Sequence, residues 1–149
     1  MTKWLTQEEQ EVWRLWVGVT QRLFNEFEDD LQTQSGLTMS DYEILVTLSE
    51  SPGGEARMSE LAERAIISRS RLTYRVDRMV KSGLVTRADA GQDRRGVVAK
   101  LTDAGMQHLV DAAPKHVDNV QQLLFSQLDG DDVQALKGIL DKLADRPSD

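Results

Sequence analysis

Four arginines, two serines, a threonine and a tyrosine fall together in Ser68-Arg69-Ser70-Arg71-Leu72-Thr73-Tyr74-Arg75 and, one turn on, Arg78; Asp93-Arg94-Arg95 follows further along. A guanidinium fork matches the paired acceptors on guanine and also phosphate oxygens. Hydroxyls and a phenol reach base edges or phosphates at closer range. At helical spacing, roughly 100° per residue, Leu72, Val76, Met79 and Val80 gather on one side, which is expected to be buried. Ser70, Tyr74 and Lys81 then point outward, with Arg71, Arg75 and Arg78 on one flank and Thr73 and Asp77 on the other. Ser68 is a good N-cap, and Gly83 suits the C-terminal end. The expected contact residues are therefore Ser68, Arg69, Ser70, Arg71, Thr73, Tyr74 and Arg75 from this helix. Arg94 and Arg95 join them from a turn that follows, where Asp93 would hold an arginine in place by a charged hydrogen bond.

The charge distribution supports this chemistry. The 149 residues carry a net charge of -7. Between Arg57 and Lys100, however, there are 11 Lys or Arg against 5 Asp or Glu, while the remainder has 7 against 20. A local cation in an acidic protein attracts phosphate where it is needed and limits indiscriminate adhesion elsewhere. There is no cysteine, which excludes disulfides, thiolate chemistry and cysteine-based oxidant sensing. Apolar runs are far short of the ~20 residues of a membrane span. The N-terminal Met-Thr-Lys-Trp-Leu-Thr-Gln-Glu-Glu lacks the apolar run of a signal peptide, so a soluble cytoplasmic protein is expected. His108 and His116 are eight residues apart without a helical partner histidine; they read as ordinary helical histidines, and no metal or cofactor is expected.

The elements that must position these residues are mostly helical. Thr6-x-x-Glu9 is a capping box, and Leu5, Val12, Trp16, Val19, Leu23, Phe27 and Leu31 form a stripe about seven turns long. Trp4, Trp13 and Phe24 widen it beyond what a small domain covers, so part of it is expected to meet a partner chain. Trp13 and Trp16 could alternatively line a pocket for a planar anion beside Arg14 or Arg22; core or partner packing is the simpler reading. Ser35-Gly36 breaks the pattern. Ser40-x-x-Glu43 is expected to open a second helix, which Ser51-Pro52-Gly53-Gly54 ends. A short helix from about Ser59, a turn at Ala65-Ile66-Ile67 and the helix from Ser68 to about Lys81 make a helix-turn-helix. Leu84-Val85-Thr86-Arg87 and Val97-Val98-Ala99-Lys100-Leu101 read as a two-stranded hairpin, a wing. Thr102 caps a helix to about Gln127, with a kink or break expected at Pro114. Asp129-Gly130-Asp131-Asp132 starts a last helix with negative charge at its positive end.

These residues resemble the MarR family of bacterial transcription regulators. The ordered set is Ser70, Thr73, Val76, Asp77, Arg78, Gly83-Leu84-Val85, Arg87, Asp93-Arg94-Arg95, Leu101-Thr102 and Gly105, and the detailed match covers about 58–105. The resemblance implies a mainly α fold with a small β-hairpin wing, with a winged helix-turn-helix lobe at about 38–101. It implies a helical dimerisation lobe from about 1–35 and 103–146. A homodimer would bind pseudo-palindromic operator DNA, usually as a repressor, and many members release DNA when a small aromatic or phenolic effector binds. One position departs from the pattern: the residue after Thr73, often arginine in the family, is Tyr74. Two other classes compete. A winged helix used for protein contact would show more exposed apolar surface on the cationic segment. An enzyme would need a nucleophile set, phosphate loop or metal motif, and none is found.

Overall fold

The computed structural model describes residues 1–89 and 96–145, with the main chain alone at Asp89. Its elements run in the order α1 (Gln7–Ser35), α2 (Met39–Ser49), β1 (Glu55–Arg57), α3 (Met58–Arg64), α4 (Arg69–Lys81), β2 (Val85–Asp89), β3 (Val97–Leu101), α5 (Asp103–Leu123) and α6 (Gly130–Ala144). Two compact units divide the chain. One comprises Glu28–Lys115; the other comprises Met1–Phe27 with His116–Asp149.

The Glu28–Lys115 unit holds a closed core. Ile44, Leu45 and Leu48 of α2, Leu61 of α3, Leu72 and Val76 of α4 and Val85 of β2 are all buried there. Burying each such side chain is worth about 1.5–3 kcal/mol. The sheet has three strands in the order β1-β3-β2, all antiparallel, with Ala56 opposite Ala99 and Arg87 opposite Ala99 from the other side. The expected hairpin is present as β2 and β3. The third strand, β1, escapes detection by sequence pattern because three residues, Glu-Ala-Arg, carry no alternation to read.

Other expectations are corrected locally. Helix α2 opens at Thr38, not Ser40: the Thr38 hydroxyl accepts the Asp41 amide at 3.0 Å and the Asp41 carboxylate accepts the Thr38 amide at 3.0 Å. The box Thr38-x-x-Asp41 wins because Leu37 and Asp41 are both buried, which fixes the chain entering the helix. Helix α3 begins at Met58, directly after β1 and next to Ser59, as expected. Helix α5 continues through Pro114 without a break. Proline withdraws an amide from the Val110 carbonyl; both residues are exposed, so water can replace it. This helix stops at Leu123, before a short turn at Phe125–Gln127.

Expected stops and starts are seen elsewhere. Thr6 and Glu9 cap α1 reciprocally. Asp129 and Asp132 do the same for α6. Gly83 follows α4 at φ +77°, a left-handed conformation that favours glycine, and the Leu84 amide returns to the Met79 carbonyl at 2.9 Å. The Thr102 hydroxyl donates to the Gly83 carbonyl at 2.6 Å and accepts the Gly105 amide at 2.9 Å, joining the end of α4 to the start of α5. A side chain on Gly105 would run into the Leu84 carbonyl oxygen. In the other unit, Phe27 packs edge-on against His116 at 5.9 Å between centroids.

Candidate nucleic-acid interface

Helix α4 is anchored by Leu72, Val76 and Met79, which are 0–3% exposed. Val80, expected on the same seam, is 38% exposed; it lies at the margin of the apolar arc. The Ser68 hydroxyl accepts the Arg71 amide at 3.3 Å and lies 3.5 Å from the Ser70 hydroxyl. Ser68, Arg69, Ser70, Arg71, Thr73 and Tyr74 are exposed, as their expected role requires. Thr73 spends its proton on the Arg69 carbonyl at 2.9 Å, which leaves its oxygen free to accept. The helix N-terminus adds its own attraction for an anion.

Arg75 departs from the expected outward row. Its side chain is 18% exposed and is drawn toward Asp41, whose side chain is 5% exposed. Nε donates to Asp41 Oδ1 at 2.7 Å and Nη2 donates to Oδ2 at 2.6 Å. These hydrogen bonds raise the Arg75 guanidinium above its ordinary value. The helical wheel put Arg75 on a flank correctly but could not show an acid on α2 waiting for it. Asp41 is the residue that sequence reading missed; the available signal was Thr38-x-x-Asp41, read past in favour of Ser40-x-x-Glu43.

The outward face is nevertheless organised. Guanidiniums of Arg75 and Arg78 lie over the Tyr74 ring at 5.8 and 5.9 Å from its centroid. Arg78 Nη1 donates to the phenol oxygen at 3.4 Å. Asp77 of α4 pairs with Arg87 of β2 and ties the helix to the sheet. A cleft of about 230 Å³ between α4 and the sheet is lined by Arg69, Thr73 and Arg87 among others. The arrangement presents hydroxyls near the helix start, a phenol mid-helix and guanidiniums around them. Asp93, Arg94 and Arg95 lie outside the described residues.

The two histidines considered for metal binding have structural contacts. His108 Nε2 lies 2.6 Å from the Ser35 carbonyl oxygen. Trp13 and Trp16 line an open groove of about 610 Å³ with Val12, Ile139 and Leu143, and Glu8 and Glu9, rather than Arg14 or Arg22, share its lining. Among the described residues no group of three or more His, Cys, Asp or Glu is arranged to hold a metal ion, and no helix is long and apolar enough to cross a membrane.

Comparison with known proteins places this geometry. A MarR-family sequence profile matches residues 35–96. The crystal structure of Sco3205, a MarR family transcriptional regulator from Streptomyces coelicolor, in complex with DNA, superposes with a TM-score of 0.95 and 41% identity, covering 99% of this chain and 94% of that one. The transcriptional regulator PecS of Dickeya dadantii is 30% identical over 117 residues, 76% of this chain and 70% of PecS. The uncharacterized transcriptional regulator YfiV of Bacillus subtilis is 34% identical over 99 residues, 66% of this chain and 60% of YfiV. With a profile match from residue 35 to residue 96, PecS 30% identical and covered over 70% of its length, and a structural match along nearly the whole chain, the chain belongs to the MarR family of helix-turn-helix transcriptional regulators.

Proposed function

We propose that this protein is a cytoplasmic homodimer that binds pseudo-palindromic operator DNA and represses transcription, with release by a small-molecule effector. Helix α4 enters the major groove; Ser68, Arg69, Ser70, Arg71, Thr73 and Tyr74 meet bases and phosphates. Arg94 and Arg95 reach the minor groove or its phosphates, supported by Asp93, the roles that their chemistry and their place in the turn between the strands suggest. The observation that carries the reading is the exposed, hydroxyl- and guanidinium-rich face of α4, built on a buried seam in a protein that is otherwise acidic. The likeness to Sco3205, solved in complex with DNA, supports it. The dimer is supported by the uncovered apolar faces of α1 and α6, where Trp13, Leu15, Ile139 and Leu143 stand open. Repression and effector release rest on the family resemblance, and no pocket is assigned to the effector. The chain is read as a regulator, not a catalyst.

Binding to a random-sequence duplex at low and high salt tests the reading. Binding that is measurable at low salt and falls steeply with salt is expected, because phosphate contact releases counterions. Absence of binding at low salt overturns it. In the same assay Arg94→Ala weakens binding and lowers the salt slope by about one contact; an unchanged slope removes Arg94 from the interface.

A further inference from the structure

Asp41 serves two elements with one carboxylate. Oδ2 accepts the Thr38 amide at 3.0 Å, which caps α2, and also accepts Arg75 Nη2 at 2.6 Å; Oδ1 accepts Arg75 Nε at 2.7 Å. A two-point contact of this kind fixes the plane of the guanidinium as well as its position. The Met39 amide donates to Glu28 at 2.7 Å, so the start of α2 is itself held. The anchored guanidinium lies over the Tyr74 ring at 5.8 Å. A cation over an aromatic face restrains the ring, and a desolvated cation does so more strongly. Arg78, which is exposed, lies over the same ring and donates to its hydroxyl.

Tyr74 is 56% exposed on the outward face of α4. A phenol there can donate to a purine N7, guanine O6 or thymine O4, accept from an exocyclic amine, or lay its ring edge on a thymine methyl group. An unrestrained tyrosine would sample several rotamers and lose entropy on binding. A restrained one reads one position.

We propose that Asp41, acting through Arg75, sets the pose of Tyr74 for reading a base pair, so that Asp41 and Arg75 are positioning residues for sequence discrimination and not phosphate contacts. The inference rests on the DNA-binding reading above. It assigns the least exposed arginine of α4 a role in specificity that its burial would otherwise deny it.

The experiment selects duplexes from a random pool with the intact protein, then measures the affinity of the enriched site and its single-base variants. Wild type, Tyr74→Phe, Asp41→Asn, Arg75→Gln and the Arg75→Gln/Tyr74→Phe pair are compared. Arg75→Gln leaves Asp41 in place to cap α2, so it carries the test should Asp41→Asn fail to fold. Arg75→Gln is expected to lose about tenfold in affinity for the enriched site, within the usual cost of one mismatched pair. Discrimination should relax at the same base pair that Tyr74→Phe affects. Binding to random duplex and the salt slope stay as in wild type, because no phosphate contact is removed. The double variant should be little worse than the weaker single one. Uniform weakening on all duplexes, relaxation at a different base pair, additive losses or a reduced salt slope each overturn the proposal. Failure of the wild type to enrich any sequence instead overturns the sequence-specific reading, and this inference with it.

Discussion

In the Glu28–Lys115 unit, Ile44, Leu45, Leu48, Leu61 and Val76 have no measurable exposure. In the other unit, Phe27 and His116 are the buried residues among those described, while Trp4, Leu15, Trp13 and Leu143 are 83%, 66%, 58% and 60% exposed. Each region contains an amphipathic helix capped by a side chain, α4 in the first and α6 in the second. They differ in what lies opposite the apolar stripe. In the first, α2, α3, α4 and the sheet close around one another. In the second, α1 and α6 leave a largely apolar trough of about 560 Å³, lined by Leu15, Trp16, Phe24, Leu136 and Leu140 among others. Hydrophobic patterning alone therefore identifies a surface that must be covered, without saying whether the same chain covers it. A closed unit can be stable by itself; an open one depends on association.

The sharpest way to break this comparison is to remove the open stripe. Deleting Met1–Trp16 should convert the protein from dimer to monomer in sedimentation and leave it a poor binder of a two-half-site duplex. A deletion variant that stays dimeric would show that the exposed aromatic residues of α1 do not hold the partner. Next in size is a matched pair of truncations. Leu45→Ala opens a cavity in the closed core and should cost about 2–5 kcal/mol in denaturant unfolding without changing the dimer dissociation constant. Leu143→Ala should do the reverse, raising the dissociation constant about tenfold or more and leaving amide exchange in the closed unit unaltered. Equal effects of the two on unfolding would erase the distinction.

The smallest expected effect lies at the wet margin of the closed unit. Desolvation, and then the nearby Glu50, raise the Glu43 carboxyl above its ordinary value. A carboxylate raised in the folded state costs stability at neutral pH, and the cost disappears below the unfolded-state value, where both states bind the proton. Glu43→Gln should thus raise the melting temperature slightly at pH 7 and leave it unchanged below about pH 4. A fall at pH 7 would mean that Glu43 has a favourable partner.

Local signals proved the most legible. Thr6 and Glu9, Ser68 and Gly83 act through residues three or four positions away, so their caps and stops can be read from a short window. The seam of Leu72, Val76 and Met79 follows from periodicity alone. What escaped depends on distant partners. Arg75 meets Asp41 across 34 positions, and its inward turn has no local cause. Strand β1 exists because β3 offers it a ladder more than forty residues later. Pro114 suggests a kink or a break by propensity, yet α5 runs on through it, at a position where Pro114 and Val110 are both exposed. The outward-facing candidates Ser68, Arg69, Ser70, Arg71, Thr73 and Tyr74 were readable for the same reason as the seam: one face of a helix defines the other.

The sheet order β1-β3-β2 puts β1 and β2 at the edges, and an edge strand is a template on which a foreign strand could grow. Here both are poor templates. Strand β1 is three residues long with a charge at each end, Glu55 and Arg57, and β2 carries Thr86 and Arg87, the latter tied to Asp77. Short, charged edges discourage strand-to-strand aggregation. The fold thus guards against self-association at its sheet while leaving apolar helical surface uncovered, so that in the proposed dimer copies of the chain would meet through helices and not through an unending β-ladder.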